Sequence, residues 1–179
     1  MLIGRMEFQK NQALALRALA ALPEELAKRC VLAFAGGGHD EPQLRALARE
    51  LNVAERVRFL GYRHDVPHLL AGIDAVLMTS WFEGMPLALI EAMIAGTPIV
   101  STPWTGSIDM LGNGRYGILA ADFTAQSVAR AIADVAEHSA MRQELARRAR
   151  VHAYEQYGIA RMIDAHRRLY LSLCGQRAS

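Results

Sequence analysis

The sequence predicts a doubly wound α/β domain, a Rossmann-like parallel sheet with helices on both faces. Three observations carry this. Short β-type runs recur along the chain, and amphipathic helical stretches separate them. Some strand runs are continuously apolar, as in Val31-Leu32-Ala33-Phe34-Ala35, which suits strands covered on both sides.

The elements follow in order. A first strand is expected at residues 1–3, ending at Gly4, with a helix over 12–22. A strand at 31–35 runs into Gly36-Gly37-Gly38 and a helix at 41–51. A strand at 57–60 ends at Gly61, and a short helix spans 66–71. A strand at 75–78 leads to a helix at 87–95, for which Pro86 suits the first turn. Next come a strand at 98–101, a loop holding Gly106 and Asp109, a weak strand at 117–120 and a helix at 124–138. Helices at 140–154 and 159–173 close the chain, broken at Gly158. No repeat, low-complexity tract or linker divides it, so residues 1–179 read as one domain.

Composition narrows the function classes. A chain of 179 residues, 52% hydrophobic, can bury roughly 70% of its unfolded surface. A net charge of +2 does not call for nucleic acid. Cys30 and Cys174 form neither a disulfide framework nor a zinc spacing, and a reducing cytoplasm is the expected compartment. Met1 leads straight into the first strand, so no signal peptide is expected. No apolar run reaches the length of about 20 residues that spans a bilayer, so any membrane association is expected to be peripheral. The chain has no G-x-S-x-G elbow and no G-x-x-x-x-G-K-[ST] loop, which weighs against hydrolases and P-loop enzymes. His64 and His68 stand four apart but lack a nearby third ligand, so no metal site is expected.

The strongest motif runs from Glu83 to Glu91. Glu83 falls in a loop at the carboxyl end of a strand, where open α/β sheets bind ligands. Gly84 frees the backbone to turn, and the following helix points its N-terminus at the crevice, which suits phosphate. Glu91 is the one ionisable residue between Met85 and Ala95, with apolar neighbours at helical spacing, so it is expected to be buried. Its carboxylate could accept from both hydroxyls of a ribose, or could serve a structural role on backbone amides.

Gly4-Arg5 with Lys10-Asn11 places two cations after the first strand. They could neutralise a diphosphate, or form a solvated loop pair. Gly36 and Gly38 let backbone approach a ligand, or make the turn into the helix; the triplet is not a dinucleotide fingerprint, because Glu41 stands where glycine is needed. Gly61-Tyr62-Arg63 could face a nucleobase or be a simple turn. Arg142, Arg147, Arg148, Arg150, Arg161, Arg167 and Arg168 give the last two helices a basic character. A solvated face is the favoured reading, and an anionic membrane surface is the alternative.

In family order, Gly4-Arg5, Lys10-Asn11, the glycine triplet, Phe59-Leu60-Gly61, Asp74, Ser80, Glu83-Gly84-Met85-Pro86, Glu91-Ala92-Met93, Gly96-Thr97-Pro98 and Gly117 resemble family 4, or group 1, glycosyltransferases. The resemblance covers nearly the whole chain. It implies the carboxyl-terminal, donor-binding half of the two-domain GT-B fold, without the amino-terminal half that carries the acceptor site. It implies transfer with retention of configuration, from a UDP-, GDP- or ADP-linked sugar, without a metal. The implied catalytic residues are Glu83, Arg5 and Lys10. Donor contacts fall to Gly4, Arg5, Lys10, Gly36, Gly38, Tyr62, Glu83, Gly84, Met85, Pro86, Leu87 and Glu91. The products are expected to be glycans of the lipopolysaccharide type, made in the cytoplasm or at the inner face of the membrane. Pro86 lacks the N–H that many relatives donate, and Asp109 stands where Glu is usual. A nucleotide-sugar epimerase or phosphorylase is the enzyme alternative. A non-catalytic binding module would be expected to have lost the cations or Glu91. A flavodoxin-like regulator would need an early acidic cluster that is absent.

Overall fold

The computed structural model describes residues 1–175. Its strands are β1 (Leu2–Ile3), β2 (Leu32–Ala35), β3 (Val57–Phe59), β4 (Val76–Met78), β5 (Ile99–Ser101) and β6 (Ile118–Leu119). Its α-helices are α1 (Gln12–Ala20), α2 (Glu24–Ala27), α3 (Glu41–Glu50), α4 (Val66–Ala71), α5 (Leu87–Ala95), α6 (Thr105–Met110), α7 (Ala125–Glu137), α8 (Ser139–Tyr157) and α9 (Ile159–Gly175).

All strand pairings within the two sheets are parallel. One sheet has the order β1-β2-β3 and the other β4-β5-β6. The two meet edge to edge at β1 and β4. The Leu77 amide donates to the Met1 carbonyl at 2.8 Å, and the Met1 amino group donates to the Ala75 carbonyl at 2.8 Å. The spatial order is therefore 3-2-1-4-5-6, with the chain reversing its winding between β1 and β4. That reversal opens a crevice beyond the carboxyl ends of these two strands.

The strand pleat sorts apolar side chains onto two cores. Leu77 and Val100 face one core with Leu14, Leu16 and Leu19 of α1 and Val128 and Val135 of α7. Their neighbours Val76, Met78 and Ile99 face the other, with Leu89 and Met93 of α5. Ala149 and Ala153 of α8 are fully buried there, and such small side chains let α8 lie close against α5. Gly96, at φ 74°, ends α5 in the left-handed conformation, and the Thr124 hydroxyl caps α7 by accepting from the Ser127 amide.

Two helices were not expected from the sequence. α2 is a single turn after Pro23, too short to show periodicity. α6 replaces the expected loop around Gly106 and Asp109. Gly106 is there for packing: a Cβ on it would stand 2.2 Å from Cζ3 of the buried Trp104 ring. The last two helices meet at Gly158, as read from the sequence. The side chains of residues 159–174 are all exposed. Among the described residues, no helix is long and apolar enough to cross a membrane.

Candidate functional site

Two loops frame the crevice: residues 4–11 after β1 and residues 79–86 after β4. Gly4, at φ 144°, lets the first loop leave the sheet, and the Lys10 stem then crosses it. A Cβ on Gly4 would lie 3.1 Å from Lys10 Cε. A 3-10 turn, Phe8–Lys10, ends at Asn11 in the left-handed conformation, where α1 begins. The buried Thr79 hydroxyl lies 3.0 and 2.9 Å from the Lys10 and Asn11 carbonyl oxygens, and donates to one at a time.

Lys10 and Glu83 meet in this frame. Lys10 Nζ lies 2.6 Å from Glu83 Oε1, with the Glu83 side chain only 7% exposed. Ser80 Oγ donates to the same oxygen at 2.6 Å, and Gln9 Nε2 donates to Oε2 at 3.1 Å. A carboxylate offers about four lone-pair sites. Lys10 and Ser80 occupy both on Oε1 and Gln9 occupies one on Oε2, which leaves one for a ligand hydroxyl.

Arg5 behaves differently. Its side chain is 82% exposed and its guanidinium stands 3.7 Å from the Glu7 carboxylate. Its backbone is fixed, because the buried Gln12 amide donates to the Arg5 carbonyl at 2.7 Å. The result is a mostly exposed cation on a held backbone.

The second loop continues through Gly84, Met85 and Leu87, all exposed, with Pro86 buried beneath them. Gly84 is not in the left-handed region, and a Cβ on it would meet nothing within 4 Å among the described residues. Its turning freedom is therefore unused, and its small size leaves the approach open. Pro86 caps α5, accepting from the Leu89 amide at 3.0 Å. The Leu87 and Ala88 amides have no acceptor within the helix and lie at its positive end.

Glu91 corrects one expectation: it is exposed. Its apolar neighbours misled the reading because Leu87 and Ala95, one turn to either side on the same stripe of α5, are themselves exposed. Burial falls on Leu89, Ile90, Ala92 and Met93 instead.

Gly36 and Gly38 serve the chain's own backbone. A Cβ on Gly36 would stand 2.0 Å from the Gly4 carbonyl oxygen, and one on Gly38 would stand 2.2 Å from that of Met6. The missing side chains let the loop after β2 close against the loop after β1. Tyr62 lies on the loop after β3, strongly exposed, with its ring edge-on to His64 at 4.8 Å.

Comparisons with known proteins give the family and the fold of the chain. The family profile described as Glycosyl transferases group 1 matches residues 1–152. This chain belongs to the group 1 glycosyltransferases. It is 30% identical over 172 residues to the lipopolysaccharide core biosynthesis glycosyltransferase LpsE of Rhizobium meliloti (strain 1021), covering 96% of this chain and 49% of LpsE. It is 31% identical to the lipopolysaccharide glucosyltransferase WaaG of Escherichia coli (strain K12), covering 79% of this chain and 38% of WaaG. The crystal structure of Anabaena HepE in complex with UDP and glucose is similar in fold, with a TM-score of 0.86 at 24% identity. That match covers 96% of this chain and 48% of HepE. This group 1 glycosyltransferase chain thus spans about half the length, or less, of these relatives, and its fold is that of one half of a GT-B enzyme.

A separate cavity of the chain lies elsewhere. About 540 Å³ opens at the amino ends of β1, β2 and β4, lined by Met1, Leu19, Leu22, Asp74, Val135 and Arg142 among others. Ligands of doubly wound sheets bind at the opposite edge, where Lys10, Glu83 and the α5 N-terminus converge, so that edge is the candidate site. Two residues that hold it, Gln9 and Thr79, were not singled out from the sequence. A polar residue between Phe8 and Lys10 looks like any loop residue until β4 is placed beside β1.

Proposed function

We propose that the crevice between β1 and β4 binds a nucleoside diphosphate sugar, and that within a longer protein this chain is the donor-binding half of a retaining glycosyltransferase. The observation that carries the reading is Lys10, tied to Glu83 at 2.6 Å beside the amino terminus of α5. In the proposed roles, Arg5, Lys10 and the free amides of α5 neutralise the diphosphate and stabilise the leaving group, so that no metal is required. Glu91 accepts from the ribose hydroxyls. Glu83 offers its remaining lone pair to the transferred sugar, next to the open backbone of residues 84–87. Tyr62 adjoins the base.

The relatives support this reading. LpsE and WaaG are named for lipopolysaccharide work, and HepE has been crystallised with UDP and glucose. The acceptor is then a growing glycan, held by a second domain, with the reaction on the cytoplasmic side and peripheral contact with the membrane. Titration calorimetry of the folded chain with UDP, GDP and ADP tests the reading. Binding of one of them is expected at micromolar to millimolar level, about 4–8 kcal/mol. A folded sample that binds none of the three contradicts it.

A further inference from the structure

We infer that Gln9 is a positioning residue of the donor site, acting on the phosphate through Glu83 and Lys10. The inference rests on the proposed function for its ligand, and on geometry alone for its mechanism.

Gln9 makes three hydrogen bonds across the point where the sheet reverses, all to the loop after β4. Its carbonyl accepts from the Trp81 amide at 2.9 Å. Its side-chain Nε2 donates to the Phe82 carbonyl at 2.9 Å and to Glu83 Oε2 at 3.1 Å. Both facing atoms are acceptors, so the amide orientation is fixed by the network. The side chain thereby spends both its N–H groups on one loop.

The effect on Glu83 follows from its inventory. With Oε2 held by Gln9, the carboxylate cannot rotate without losing that bond, and Oε1 stays aimed at Lys10 and Ser80. Lys10 then gives one of its three N–H groups to Glu83 and keeps two for an anionic oxygen. A neutral amide suits this task. A second cation beside Glu83 would compete with Lys10 for the carboxylate, and a carboxylate would repel it.

Two variants, Gln9→Ala and Gln9→Glu, test the inference with two readouts. The first needs no nucleotide. The chain has only two lysines, Lys10 and Lys28, and Lys28 lies on the surface. The Lys10 ammonium should therefore give a distinct ¹⁵N–¹H signal, protected from exchange by Glu83, and both variants should lose it while keeping the wild-type circular dichroism. The second readout is calorimetry with UDP and with uridine. Both variants should bind UDP about 3- to 10-fold more weakly and uridine unchanged. Lowering the pH from about 8 to about 5 should narrow the deficit of Q9E and not that of Q9A, because a proton shared between facing carboxyl groups restores the donor. Loss of the ammonium signal in both variants, with no UDP binding even by the wild type, upholds the positioning of Lys10 and removes the nucleotide reading. Retention of the signal and of full UDP affinity in both variants overturns the inference and leaves the nucleotide reading standing.

Discussion

The ammonium of Lys10 and the carboxylate of Glu83, 73 residues apart in the chain, meet at 2.6 Å across the seam between the two three-stranded sheets. The pair fastens the loop after β1 to the loop after β4, and in the proposed function it also presents a cation to the diphosphate. Lys10→Met should leave the Glu83 carboxylate, 7% exposed, with only Ser80 and Gln9 as partners. It should destabilise the fold by about 1–3 kcal/mol. Adding Glu83→Gln should recover part of that loss, because the two changes remove one interaction. Urea midpoints of the two single variants and the double variant measure this; strictly additive losses would mean the pair is not coupled.

Arg5 should separate binding from stability. Its side chain is 82% exposed, so Arg5→Ala should shift stability by no more than about 0.5 kcal/mol. The same change should weaken UDP binding by about 1.5–3 kcal/mol and leave uridine binding alone, since a charge-assisted bond to phosphate is lost. Equal effects on nucleotide and nucleoside would return Arg5 to a structural role.

The glycines divide by what lies over them. Gly36→Ala and Gly38→Ala would drive a Cβ into backbone oxygens at 2.0 and 2.2 Å, and should each cost about 2 kcal/mol or more. Gly37→Ala and Gly84→Ala meet nothing within 4 Å among the described residues and should stay within about 0.5 kcal/mol. Thermal unfolding of the four variants checks the division. A tolerated Gly36→Ala would mean the two loops do not close as described.

Acidification should weaken the fold through His152. Its ring stacks on Tyr116 at 4.2 Å, and burial lowers its pKa below the ordinary 6.5, with Glu155 opposing the shift. The unfolded chain therefore takes up this proton at a higher pH than the folded one. Stability contributed here is present above pH 6.5 and is lost as the pH falls from there towards the folded-state value. His152→Phe should remove that part of the pH dependence in denaturation curves taken between about pH 7 and about pH 5. An unchanged slope would place the titration elsewhere.

Much of the fold was legible in the sequence because its strands are short apolar runs bounded by glycines. All six expected strands form, each within two residues of its expected ends, and the boundaries of α4 and α5 match the reading. The helix at Gly106 was not legible, because its glycine makes room for the ring of Trp104, a contact between residues that composition does not reveal. At the site, residue types pointed to Lys10 and Glu83, but their pairing depends on β1 lying beside β4, which no local pattern encodes. Gln9 was invisible for the same reason. Glu91 was misjudged because apolar neighbours imply burial only when they are themselves covered, and Leu87 is 68% exposed.

The most direct test of the central claim, that this crevice holds a nucleoside diphosphate with its ribose on Glu91, is a thermodynamic cycle. UDP and 2′,3′-dideoxy-UDP are titrated calorimetrically into the wild-type chain and into Glu91→Gln. Glu91 is exposed on α5, so the variant should keep its stability. The account predicts that the wild type binds UDP about 10- to 100-fold more tightly than the dideoxy nucleotide, from about 1.5–3 kcal/mol of charged hydrogen bonding. It predicts that Glu91→Gln hardly distinguishes the two, because residue and hydroxyls contribute one interaction. Additive losses, with the variant discriminating as well as the wild type, would contradict the placement of the ribose at Glu91.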